Sequence, residues 1–140
     1  MAFEKILVAI DGSECSNRAF DKALELASLA HASVTALLWK ARYLPTRRQF
    51  GEVDEVKREK DTFFSALARR ARSQAEEAGL EISVEVRAGH AAELISQVAG
   101  EGGYDLVVLG HRGHFLRNHL LGSTADRVVE NAPCPVMIVR

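Results

Sequence analysis

The sequence has few of the features that mark secreted, membrane or nucleic-acid-binding proteins. Its only two cysteines, Cys15 and Cys134, lie far apart and near no other metal-ligand cluster, so a reducing compartment fits better than a disulfide framework. No apolar run approaches the ~20 residues of a membrane helix, and no signal-peptide pattern is apparent. The net charge of −1 gives no electrostatic footprint for nucleic acid or an anionic membrane. We therefore expect a cytoplasmic protein that binds neither.

What the chain does have is an ordinary globular composition with alternating strand and helix patterns. Its 140 residues, 47% of them hydrophobic, fit a single domain over 1–140. Short apolar runs predict strands at 5–10, 32–39, 81–87, 105–109 and 135–139, and amphipathic stretches predict helices at 14–29, 54–78, 91–99 and 123–131. This order predicts an α/β fold, an open doubly wound five-stranded parallel sheet with helices on both faces.

A glycine-bearing loop after the fourth predicted strand is the main functional signal. Gly110-His111-Arg112-Gly113 follows an apolar run, and Gly122-Ser123-Thr124 opens the next helix. Glycines let a backbone approach an anion closely, and free N–H groups at a helix start point at it. The spacing therefore predicts a phosphate cradle, although a plain strand-to-helix turn uses the same residues.

Two other segments are expected at the same edge of the sheet. Asp11 follows the first strand, Trp39 ends the second, and Ser13 is placed to cap the first helix. Ligands of doubly wound sheets bind outside the carboxyl ends of the strands, near the topological switch point. Asp11, Trp39 and the Gly110 loop are therefore predicted to lie together.

Three segments resemble the universal stress protein family, in the order in which that family has them. They are Lys5-Ile6-Leu7-Val8-Ala9-Ile10-Asp11-Gly12-Ser13, then Gly110-x2-Gly113 with Gly122-Ser123, then Ala132-Pro133-Cys134-Pro135-Val136-Met137-Ile138-Val139. The resemblance covers essentially the full length. It implies a Rossmann-like, adenine nucleotide alpha hydrolase-like fold and a regulatory stress-response module that binds ATP, ADP or AMP.

The resemblance also implies which positions contact the nucleotide. Backbone of the first strand and the acidic residue after it would lie near adenine and ribose, Trp39 beside adenine, the end of the fourth strand under the sugar, and the loop and helix start around the phosphates. The implied site residues are Ala9, Ile10, Asp11, Trp39, Leu109, Gly110, Arg112, Gly113, Gly122, Ser123 and Thr124. Mg²⁺, if it is bound, would be held by the phosphates.

Two departures from the family pattern keep a second hypothesis open. Eight residues separate Gly113 from Gly122 where nine are usual, and Trp39 replaces a small aliphatic residue. These departures favour a dimeric protein-interaction module without nucleotide, whereas the intact glycines favour binding. No general base stands out, so the expected enzymatic activity is at most that of a slow ATPase, and a regulatory protein partner is expected but not identified.

The remaining predictions concern metals, the first cysteine and assembly. A receiver-type carboxylate cluster around Asp11 and a histidine zinc site are both weakly supported, so no metal site is predicted. Cys15, near a helix start, is either a reactive thiol or a small apolar filler. The strand at 135–140 is apolar on both faces, so we expect it to pair with a second copy in a homodimer.

Overall fold

The structure, a computed structural model, describes residues 3–40, 50–111 and 121–140. The elements follow one another as β1 (Lys5–Ala9), α1 (Glu14–Ala30), β2 (Ser33–Lys40), α2 (Phe50–Glu77), β3 (Ile82–Ala88), α3 (Ala91–Glu101), β4 (Leu106–Gly110), α4 (Ser123–Asn131) and β5 (Val136–Val139). All five strands are parallel and lie in the order β3-β2-β1-β4-β5. The predicted fold class is confirmed.

Both faces of the sheet are covered, and side chains alternate between them along each strand. Ile6, Val8 and Leu38 lie in one core with α1 and α2, which we call face one. Leu7 and Leu37 lie in the other core with α3 and α4, which we call face two. This double burial explains why the central strands read as continuous apolar runs rather than alternating ones.

The end of α1 differs from the prediction because a histidine takes the place of a glycine. The helix runs to Ala30, and His31 adopts the left-handed conformation with φ 55° and ψ 39°. The N–H groups of His31 and Ala32 both donate to the carbonyl of Ala27. The predicted inclusion of Ala32 in the second strand is therefore wrong, since its N–H completes the helix cap and β2 begins at Ser33.

The predicted start of α2 at residue 54 is also wrong, because the helix begins at Phe50. Extending a formed helix by one residue adds a hydrogen bond at little cost, so Gly51 does not stop it. The predicted stop at Gly79 is confirmed to within a residue. Gly79 has φ 75°, and Leu80 N–H donates to the Ala75 carbonyl at 2.8 Å, which closes the helix end.

The Asp105 carboxylate links the amino ends of the neighbouring strands β1 and β4 by hydrogen bonds. Asp105, predicted to begin the fourth strand, precedes β4 and accepts hydrogen bonds from the N–H groups of Glu4 (2.8 Å) and Lys5 (3.1 Å). Nearby, the buried hydroxyl of Tyr104 donates to Thr35 Oγ1 at 2.8 Å. The Asp105 contacts lie at the end of the sheet opposite the predicted ligand edge and join the starts of β1 and β4, whereas the Tyr104 contact joins the residue before Asp105 to β2.

Candidate functional site

The carboxyl ends of β1, β2 and β4 meet at one edge of the sheet because β1 lies between the other two strands. Of the predicted positions, Ala9 ends β1 and Ile10 follows it, both with buried side chains, and the Ile10 N–H donates to the Leu37 carbonyl at 3.0 Å. Leu109 is likewise buried in the face-two core. These three residues can therefore offer only backbone to anything bound at the edge.

The loop after β1 is a tight turn that the Asp-Gly-Ser sequence builds. Gly12 has φ 86°, a conformation that favours glycine. The half-buried Asp11 accepts the Ser13 N–H on its Oδ1 at 2.9 Å, and Ser13 Oγ accepts the Ser16 N–H at 3.2 Å. The prediction that Ser13 caps α1 is thus confirmed, and the Asp11 carboxylate shapes the turn beside the start of the helix.

Ser16 is a part of this turn that the sequence analysis did not identify. Its buried hydroxyl donates to the Ser13 carbonyl at 3.0 Å and accepts the Asp11 N–H at 3.3 Å. A small hydroxyl residue three positions after a predicted helix cap was the available signal. Ser13 and Ser16 therefore provide hydrogen-bond partners for backbone groups at the start of α1.

The N-terminus of α4 is different, because its cap residue is a glycine. Its cap residue, Gly122, is buried and makes no side-chain cap hydrogen bond, while its N–H donates to the His111 carbonyl at 2.8 Å. The His111 N–H in turn donates to the Val139 carbonyl at 2.7 Å. His111 thus fixes the start of α4 to the ends of β4 and β5. Ser123 is exposed and Thr124 half-buried in the first turn, where backbone N–H groups suit an anion.

Gly110 has a structural reason to be glycine that is independent of any ligand. A Cβ at this position would lie 2.7 Å from the carbonyl carbon of Cys15 and 2.9 Å from the backbone nitrogen of Ser16. The first turn of α1 therefore packs directly on the end of β4. Cys15 is buried in this contact. Two of the predicted site residues, Arg112 and Gly113, lie outside the described part of the chain.

Trp39 lies near the end of β2 and is half-buried against the face-two core. Its neighbour across the strands is Arg87 of β3. The structure therefore places the indole on the side of the sheet that α3 and α4 cover. Whether it lies beside a bound base remains a prediction.

Other chemistry is limited among the described residues. Among the side chains that the structure describes, those of residues 3–40, 62–111 and 121–140, no three from His, Cys, Asp or Glu come together as metal ligands. Partial burial raises the pKa of the Cys134 thiol, and the nearby Asp105 carboxylate raises this pKa further, so the neutral thiol is favoured. Within the same ranges, no helix has the length and apolarity to cross a bilayer.

The fold and this edge define a doubly wound parallel sheet with a glycine-capped helix N-terminus at its switch point. The family model for the universal stress protein family matches residues 2–140, and the chain belongs to that family. It is 33% identical over 147 residues to universal stress protein YxiE of Bacillus subtilis, which covers 99% of each chain. The predicted family membership is confirmed.

Solved structures agree with the family assignment. Universal stress protein UspA from Lactobacillus plantarum superposes with a TM-score of 0.90 at 25% identity, covering 100% of this chain and 99% of that one. A universal stress protein solved in complex with cAMP superposes with a TM-score of 0.72, also at 25% identity, covering 100% and 98% of the two chains.

Proposed function

We propose that this protein binds an adenine nucleotide at the carboxyl edge of β1, β2 and β4 and acts as a nucleotide-dependent regulatory module in the stress response. The observation that carries the proposal is the difference between two helix starts at this edge. Ser13 caps α1 with its side chain, whereas the cap residue of α4 is Gly122, which has no side chain to cap the helix. The first-turn N–H groups of α4 are proposed to bind a phosphate.

The rest of the edge fits the base and sugar of such a ligand. Asp11 is held beside the switch point by the Ser13 N–H, and the half-buried Trp39 offers an aromatic face. A relative of the same fold was solved with cAMP, which supports the adenine nucleotide class. Arg112 and Gly113 are proposed to complete the phosphate site.

The proposed role is binding rather than efficient catalysis. The carboxylate of Asp11 already accepts a hydrogen bond that shapes its own turn. With no cluster of three metal ligands among the described residues, a Mg²⁺ ion that accompanies ATP would be held mainly by the phosphates. Any hydrolysis would then be slow, and the bound nucleotide would act as a signal.

Two substitutions of Ser123 test the phosphate site without disturbing the fold. Ser123→Asp places a carboxylate at the exposed first position of α4, where the helix dipole favours negative charge. It should weaken ATP binding by about tenfold or more, because the carboxylate competes with and repels the phosphates. The matched Ser123→Asn variant has nearly the same shape without the charge, so its affinity should stay within a few-fold of the parent.

Calorimetric titration with ATP, ADP, AMP and cAMP measures these affinities, and analysis of nucleotide released on denaturation tests for a co-purified ligand. Fluorescence of Trp39, the only tryptophan, reports on the base: adenine nucleotides should change it and inorganic triphosphate should not. Equal ATP affinity in the folded Ser123→Asp and Ser123→Asn variants would refute the phosphate site at α4. No binding of any of the four nucleotides by the parent would favour the interaction module without nucleotide.

A further inference from the structure

A second concave surface, lined by none of the proposed nucleotide-site residues, lies between α2 and the outer strand β3. It is a groove of about 790 Å³ whose strand side includes Val84 and Val86 and whose helix side runs from Phe64 to Glu76. At 1.5 Å per residue this helix segment is about 18 Å long, which matches five or six residues of extended chain. We call this surface the α2–β3 groove.

One wall of the groove is the edge of the sheet. β3 is last in the strand order, and none of its seven residues is fully buried. Val86 is an apolar residue with 45% of its surface exposed on this strand. An edge strand presents a row of backbone N–H and C=O groups that an extended chain can pair with. The shape of the groove and the chemistry of its wall thus both suit an extended peptide.

The charges that line the groove are mostly positive. Among the side chains that the structure describes, Lys40, Arg69 and Arg72 line it together with the carboxylate of Glu76. The Lys40 ammonium lies 5.3 Å from the centre of the Phe64 ring, which directs this charge towards the apolar part of the groove. Both arginines are exposed on the outer surface of α2. The complementary occupant is therefore acidic.

The opposite face of β3 has a different character. Glu85 and Arg87 form an ion pair there at 3.3 Å, and Arg87 also pairs with Glu101 of α3 at 3.5 Å. Those charges pair with one another, whereas the described lining of the α2–β3 groove has two arginines, Arg69 and Arg72, for the one carboxylate of Glu76. A second copy of this chain is a poor occupant, since pairing two β3 edges about a two-fold axis would bring the two sets of cations together.

We propose that the α2–β3 groove binds an extended acidic segment of a partner protein, which adds to β3 as a sixth strand. Backbone hydrogen bonds to the β3 edge supply affinity, and acidic side chains against Arg69 and Arg72 supply specificity. This proposal is independent of nucleotide binding. It assigns a partner chemistry to a surface that the nucleotide site does not use.

The probe is a fluorescein-labelled, C-terminally amidated heptapeptide, Glu-Thr-Glu-Val-Glu-Thr-Glu, measured by fluorescence anisotropy with the full-length protein. We expect saturable binding that weakens as salt is raised. The Arg69→Glu/Arg72→Glu variant should bind about tenfold more weakly or worse, because two attractive contacts become repulsive. The matched Arg70→Glu/Arg127→Glu variant makes the same charge change at exposed positions outside the groove and should bind like the parent.

Two N-methylated forms of the peptide separate strand addition from simple charge attraction. N–H groups of alternate residues point to the same edge of a strand, so each form is methylated on one alternate set. The form that is methylated on the paired edge should lose binding, while the other keeps it. Equal binding by both forms, equal binding by a peptide with Lys in place of Glu, or unchanged affinity in Arg69→Glu/Arg72→Glu would each overturn the proposal. Dimers that form through β3 in place of peptide binding would also overturn it.

Discussion

Gly110 has no room for a side chain, because α1 begins directly against it. A Cβ there would meet the backbone of Cys15 at 2.7 Å, and backbone cannot move aside as a flexible side chain can. Gly110→Ala should therefore lower the free energy of unfolding by about 1–3 kcal/mol, measured by urea denaturation. The same change at Gly100, in helix α3, should raise it by up to about 1 kcal/mol, since a Cβ there meets only Pro133 at 3.7 Å. A Gly110→Ala protein as stable as the parent would contradict the packing argument.

Roles that depend on contacts with residues nearby in the sequence were predictable. Roles that depend on contacts with a distant segment of the chain were not. The Asp11 turn and the Ser13 cap follow from local turn and capping chemistry, and both are present. The reason for Gly110 lies on α1, almost a hundred residues away in sequence, so local spacing suggested only a phosphate cradle or a plain turn. The bridge that His111 makes between Val139 and Gly122 is a backbone feature that no side-chain pattern encodes.

Helix α1 ends at a residue, His31, whose backbone conformation is energetically unfavourable. His31 is exposed and left-handed, a region that non-glycine residues enter at a cost of about 1 kcal/mol or more. His31→Gly removes the Cβ that causes this cost while keeping the N–H bonds to Ala27. We expect the free energy of unfolding to rise by roughly 0.5 kcal/mol after the greater unfolded-state entropy of glycine is subtracted. His31→Ala retains the Cβ and should show no gain, so equal stabilities of the two variants would contradict this account.

Element types were easier to predict than element ends. Strands buried on both faces read as apolar runs, and α1, α3 and α4 begin at the predicted residues. The errors in the starts of β2 and α2 have different causes: an unusual residue at a helix cap, and the cooperativity of helix formation. A histidine fills the left-handed cap of α1, so Ala32 was assigned to β2, and helix propagation extends α2 back to Phe50. Both errors moved a boundary and left the topology unchanged.

At the scale of the molecule, the two outermost strands of the sheet, β3 and β5, differ in chemistry. β3 carries the paired charges of Glu85 and Arg87 on one face and borders the α2–β3 groove on the other. β5 carries only apolar residues: Val136 and Ile138 pack against face two, and Met137 and Val139 against face one. All four are only half-buried within the chain. The proposed nucleotide site lies between these two strands, so each of the three proposed contacts is assigned to a different surface.

The homodimer is proposed to form through β5, and its backbone supplies the reason. β5 is last in the strand order on its side, so antiparallel pairing with its two-fold mate would satisfy the free edge and cover the half-buried side chains. Light scattering should then give a dimer at micromolar concentration. Replacing Met137 and Val139 together with Lys should give folded monomers by circular dichroism and scattering, because two pairs of buried cations would face each other across the axis. Val86→Lys, on the opposite edge, is the matched control and should stay dimeric. A monomeric parent protein would exclude this dimer, and dissociation by Val86→Lys alone would assign the interface to β3.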